Sequence, residues 1–176
     1  MLSVRVCAFV WCLASLVAGA PATLSAQQDQ AATPAATATL AVAGDVTSPV
    51  SLSSADLKDM PRTKVEVTAD GRTLPYVGVL VGEILKRAGA PLGDALRGDA
   101  VASYVLASAT DGYQVVFSLA ELDPDFTSND IIVADTVDGE PLFAGQGPLR
   151  IVAPNDSRGA RSIRMLERLE VVRLRR

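Results

Sequence analysis

Three Asp-Gly pairs, Asp70-Gly71, Asp111-Gly112 and Asp138-Gly139, cut the chain into short apolar runs. Asp-Gly supplies the positive φ that a tight turn needs, so each pair is read as a turn signal, the first and third as hairpin turns. Lys64-Val65-Glu66-Val67-Thr68 alternates as a half-buried strand does, just before the first pair. Val101 to Ala109 and Gln114 to Phe117 flank the second. Ile131-Ile132-Val133-Ala134, before the third, is a continuous apolar run bounded by polar residues, the pattern of a buried strand. Leu40 to Gly44 and Leu149 to Ala153 complete the expected strands, the latter closed by Pro154. Ser162 to Leu174 fits either strand or helix, with Val171, Val172 and Leu174 favouring a strand at its end.

Helical signals are few. Ser53 or Ser54 can cap a short helix over Ala55–Lys58, which Pro61 ends. Gly78 to Ala88 is the main helix expected, because Val81, Ile84, Leu85 and Ala88 form one apolar stripe. Gly89 would end it and Pro91 prevents its continuation. Leu119–Leu122 reads as a helical turn. Many short strands with two or three helices irregularly between them predict an α+β fold.

The N-terminal 26 residues read as a secretory signal. Arg5 gives a positive start, an apolar stretch runs from Val6 to Ala18, and Leu24-Ser25-Ala26 fits a cleavage site before Gln27. The apolar stretch is short for a membrane span. Residues 27–39 (QQDQAATPAATAT) read as a flexible Ala/Thr-rich linker, and 40–176 as one domain. Export to a periplasm or the extracellular medium is the expectation, with no membrane span after cleavage.

Residue absences narrow the chemistry. There is no histidine, and both cysteines, Cys7 and Cys12, lie in the expected signal. That excludes a zinc-finger site, a cysteine nucleophile and a Ser-His-Asp triad in the expected domain. Lys58, Lys64 and Lys86 are the only lysines, and none sits beside a serine in a nucleophile motif. Asp123, Asp125, Thr127 and Asn129 alternate as calcium-loop ligands do, but Ser128 replaces the loop glycine and Ala134 the closing Glu. A solvated acidic turn is expected there.

Charge is segregated. Residues 27–149 carry seven Lys/Arg against seventeen Asp/Glu, a balance of −10, while 150–176 carry eight Arg against three acids, a balance of +5. The basic end suits either an internal partner for the acidic body or a site for a phosphate or carboxylate ligand. A net acidic chain with few aromatics speaks against nucleic acid.

A series of short motifs runs through the domain. It comprises Tyr76-x-Gly78-Val79, Asp111-Gly112-Tyr113, Asp138-Gly139-Glu140-Pro141-Leu142, Gly147-Pro148-Leu149-Arg150-Ile151-Val152-Ala153-Pro154 and Gly159-Ala160-Arg161-Ser162-Ile163-Arg164-Met165-Leu166. In order and spacing the series resembles the oxidoreductase molybdopterin-binding domain of the sulfite oxidase family, over roughly residues 40–174. The resemblance implies a mixed α+β fold, a cysteine thiolate on molybdenum, and basic side chains on the pyranopterin phosphate. The matched basic positions are Arg150, Arg161 and Arg164, with Tyr113 or Tyr76 facing the metal. Their alternative role is to pair with Asp111, Asp135 or Asp138 and hold loops in place.

Three departures bear on activity. The stretch Thr68 to Pro75, where the family carries its ligand cysteine, has none. Gly145-Gln146-Gly147 stands where the family often has a His-Gly pair. Arg164-Met165 stands where it has Lys-Trp. The resulting expectation is an exported binding or accessory module without molybdenum catalysis and without a cofactor, recognising an anionic small ligand or an envelope protein. The alternatives are a molybdopterin-dependent oxidoreductase and a structural or interaction domain with no small ligand.

Overall fold

The structure is a computed structural model and describes residues 38–69 and 71–174. The expected signal and residues 27–37 of the expected linker lie outside the described residues. Ten strands form two five-stranded sheets. The first has the order β2-β1-β10-β5-β6, built from β1 (Thr39–Gly44), β2 (Val50–Ser53), β5 (Ser103–Ala109), β6 (Gln114–Ser118) and β10 (Leu166–Arg173). The second has the order β3-β4-β7-β8, from β3 (Thr63–Ala69), β4 (Arg72–Leu80), β7 (Ile132–Val137) and β8 (Glu140–Pro141), with β9 (Arg150–Val152) also paired to β7. Two helices, α1 (Ser54–Lys58) and α2 (Val81–Arg87), and four short 3-10 turns complete the described residues. No described helix is long and apolar enough to cross a membrane.

The main core takes side chains from both sheets and α2, including Leu40, Val105, Phe117, Val133, Ile151 and Leu169. A second, smaller cluster of Val65, Tyr76, Ile132, Ala134 and Val152 lies on the other face of β4, β7 and β9. This explains the unbroken apolar run at 131–134. Ile131 and Val133 enter the main core, Ile132 and Ala134 the smaller one. Each such Ile or Val contributes roughly 1.5–3 kcal/mol by leaving water.

The three Asp-Gly pairs connect β3 to β4, β5 to β6 and β7 to β8, all antiparallel. The main helix is shorter than its expected span. Gly78 to Leu80 belong to β4, and α2 starts at Val81, whose amide donates to the Ile131 carbonyl at 2.9 Å. The apolar stripe is correct, since Val81, Ile84, Leu85 and Ala88 are all fully buried. Gly89 follows with φ +72. Strand β2 was not expected, and the ambiguous end segment resolves as β10, between parallel β1 and antiparallel β5. Thr39, assigned to the expected linker, already pairs with Ser53 in β1–β2.

Helix α1 is held by a reciprocal cap. The Ser53 hydroxyl accepts from the Asp56 amide, and the Asp56 carboxylate accepts from the Ser53 amide at 2.8 Å. Ser53→Ala is expected to cost about 1 kcal/mol of unfolding free energy, measured by urea titration. The Ser53 hydroxyl, then its amide, hold the Asp56 carboxyl below the usual carboxylate range. A depressed folded pKa stabilises above the unfolded value, and that contribution fades as pH falls through the folded one. The alanine protein should therefore lose less stability than its parent on acidification below about pH 4.

Candidate functional site

Four of the five residues singled out in sequence fall on two neighbouring features, Arg150 with Tyr76 and Arg164 with Tyr113, and Arg161 lies apart. Arg150 opens β9 opposite Ala134 of β7, and Ala134 in turn lies opposite Gly78 of β4. The Arg150 guanidinium sits 5.0 Å from the centre of the Tyr76 ring. Its terminal nitrogens donate to the Tyr76 hydroxyl at 3.3 Å, to the Gln146 side-chain oxygen and to the Ser162 carbonyl at 3.4 Å.

Arg150 is 8% exposed as a residue, and its Nε has no hydrogen-bond partner. Among the described residues no carboxylate pairs with it. Burial lowers its pKa, Tyr76 opposes that shift, and the charge of Arg164 adds to the lowering. Arginine nevertheless stays charged, so this is a buried cation without a counter-ion.

Arg164 is exposed on the segment between the 3-10 turn Gly159–Arg161 and β10. It makes no hydrogen bond or ion pair with the described residues. It lines an open cleft of about 310 Å³ together with Asp111, Tyr113, Gly145, Ser162 and Met165. Gly145 and Ser162 link this cleft to Arg150, since Ser162 accepts from it and Gln146 follows Gly145. Tyr113 is half-exposed, and its hydroxyl donates to the Ala160 carbonyl at 3.0 Å. The Asp111 carboxylate accepts from the Tyr113 amide, which shapes the β5–β6 turn forming that wall.

Met165 has φ +49, a left-handed conformation that costs a side-chain-bearing residue about 1–3 kcal/mol. Its amide donates to the Gln146 carbonyl, and its carbonyl accepts from Thr110, so both sides of the cleft hold it there.

Arg161, expected to share in anion binding, sits apart and is already committed. Nε and one terminal nitrogen form a two-pronged pair with Asp156 at 2.9 and 2.7 Å, and the other terminal nitrogen reaches both Glu121 oxygens at 3.1 Å. Its guanidinium also covers the Phe117 ring at 4.9 Å. The Asp156 hydrogen bond, then Glu121, raise its pKa. The pairing role weighed for these arginines is thus realised by Arg161, but with Asp156 and Glu121. Asp135 pairs with Arg62 instead.

The acidic turn at 123–129 is also corrected. Asp123 is 2% exposed rather than solvated, accepting from the Gly93 amide at 2.6 Å and the Asp125 amide at 3.0 Å. Thr127 donates to the Glu121 carbonyl, and Asn129 accepts from Asn155. These oxygens tie loops together, and no cluster of metal-ligating side chains occurs among the described residues. Gln146 and Ser162 were not anticipated as partners of Arg150. The signal for Gln146 was its place where the resembling family carries histidine.

Comparisons with known proteins agree with this fold. No curated protein matches the chain. Among solved structures, the sulfane dehydrogenase SoxCD from Paracoccus pantotrophus superposes with a TM-score of 0.60 at 19% identity. The match covers 76% of this chain and 38% of that one, so this chain corresponds to well under half of its neighbour. At that identity the likeness speaks for the fold. The model of the oxidoreductase molybdopterin binding domain matches residues 27–175, nearly the whole length, and the chain belongs to that family.

Proposed function

We propose that this domain is an exported binding module that takes a small anionic group between Arg150 and Arg164, without molybdenum held by a protein thiolate. The observation that carries this reading is Arg150 itself, a buried guanidinium with an unpartnered Nε, no carboxylate partner and a second free arginine nearby. Leaving a buried charge unpaired costs several kcal/mol, which an incoming anion offsets. Phosphate- or sulfate-like oxyanions suit the planar donors of two guanidiniums. Export rests on the N-terminal pattern around Arg5 and the apolar stretch Val6–Ala18. An N-terminus at Gln27 in the accumulated protein would support it.

The family binds molybdopterin, and the donor set fits that cofactor only in part. The arginine pair suits its phosphate. The metal is poorly served, because the matched residues 27–175 contain neither cysteine nor histidine. The ligand-bearing stretch of the resembling family is here a continuous hairpin, with β3 and β4 paired from Thr63–Gly78 to Ala69–Arg72. Oxygen donors are a poor replacement for thiolate on a soft metal.

The family match favours one second reading, a molybdopterin-dependent oxidoreductase in which Arg150 and Arg164 hold the cofactor phosphate and no protein atom ligates the metal. Metal and pterin analysis of the natively produced protein separates the two, alongside calorimetric titration with phosphate and sulfate. Anion binding without molybdenum or pterin is expected. Stoichiometric molybdenum with pterin would replace the leading reading by the second. No cofactor and no anion binding would leave a purely structural domain.

A further inference from the structure

Strand β3 is the longest open edge of either sheet. It has seven residues and pairs only with β4 among the described residues. The other edges are shorter, with five residues in β6, four in β2, three in β9 and two in β8, the last containing Pro141. Open edges are templates for another strand, and proteins blunt them with proline, bulges or charged side chains, lysine above all. β3 has no proline, its register with β4 runs without a break, and its one lysine is matched by Glu66.

The direction of its free backbone groups follows from Pro75. Glu66 lies opposite Pro75, which has no N–H and cannot form a mutually bonded pair. Glu66 therefore points its own N–H and C=O outward, away from β4. By the alternation of antiparallel ladders, Lys64 and Thr68 do the same.

We infer that β3 is a self-association edge, pairing antiparallel with β3 of a second copy of this chain about a two-fold axis at Val65. In that register Lys64 lies opposite the partner's Glu66, and Glu66 opposite the partner's Lys64. All four have outward backbone groups, so the bonded pairs and the opposite charges coincide. The side chains are available, both being 60% exposed and now paired only with each other at 3.1 Å.

On the other face, Val65 meets the partner's Val65 and Thr63 meets the partner's Val67. The two smaller apolar clusters, each with a half-buried Val67 and Leu74 at its margin, then merge into one. A cluster limited to one side of a sheet edge gains most from such continuation. The two Tyr76 residues, each opposite a Val65, would lie three strand spacings apart, about 14 Å, on one continuous face. The inference stands independently of what occupies the arginine site.

Charge reversal tests the register. The parent protein in its naturally accumulating form is expected to dimerise in analytical ultracentrifugation. Lys64→Glu and Glu66→Lys should each raise the dimer dissociation constant roughly tenfold or more, since each sets like charges opposite one another twice. An equimolar mixture of the two variants should recover association, because it restores both pairs. Unchanged thermal melts of both variants, at exposed positions, would exclude misfolding. A parent that stays monomeric at the highest concentration reached, or a dimer indifferent to both reversals, would overturn the inference.

Discussion

An Arg150→Met protein is expected to lose anion affinity by about 30-fold or more while melting no lower than its parent. The first half follows from removing the buried charge that the proposed anion would meet. Truncating one member of a buried charge pair costs upward of about 2 kcal/mol, which is a factor near 30. The second half separates a binding arginine from a structural one. Methionine is of similar length and apolar, and it would lie along the same Gly78–Ala134 row against Tyr76. What it gives up is modest. The bonds to Tyr76 and Ser162 are long, at 3.3 and 3.4 Å, and Gln146 is only partly buried and can rehydrate. What it relieves is larger, a desolvated cation with an orphan Nε repelled by Arg164. Replacing buried charges by apolar groups of similar volume is often neutral or stabilising. Calorimetric titration with phosphate beside a thermal melt gives both halves. A variant that melts several degrees lower and binds as before would make Arg150 an internal strut.

The contrast between Arg150 and Arg161 marks the limit of what sequence reveals about this site. Both occupy family-matched positions, and both read equally well as ligands for an anion. Their difference lies in which acids the fold brings near them. Asp156 is only five residues from Arg161, but Glu121 is forty away, on the turn after β6. No local pattern announces that second partner. Arg150 has no acid paired with it among the described residues, and only the three-dimensional surroundings show that.

Elements set by local chemistry were legible. The Ser53 cap, the three Asp-Gly hairpins and the doubly buried run at 131–134 rest on interactions within a few residues or on simple apolar patterning. The start of α2 was not legible. Gly78 to Leu80 fit a helix on hydrophobicity alone, and they are strand because β7, more than fifty residues later, pairs with them. β10 is similar, since its strand character comes from lying between β1 and β5.

That same non-local pairing makes Gly78 the most sensitive backbone position near the site. Gly78→Ala is expected to cost about 3 kcal/mol or more, a fall of roughly 10 °C in melting temperature. A Cβ built there would lie 2.1 Å from the Val133 carbonyl oxygen and 2.6 Å from both the Ala134 Cα and the Val133 carbonyl carbon. All three are backbone atoms of β7, so no rotamer change can make room. The two strands would have to separate at the register shift between Val77 and Gly78. β7 cannot move alone, because it also pairs with β8 and β9, and Ile132 and Val133 fill both cores. Displacing it would also shift Arg150, paired opposite Ala134, so anion affinity should fall with stability. Gly159→Ala is the control, since its added Cβ meets nothing within 4 Å. That change should leave unfolding free energy within about 0.5 kcal/mol of the parent. Equal melting of the two alanine proteins would mean that β4 and β7 do not approach this closely, and the sheet that carries Arg150 would have to be redrawn.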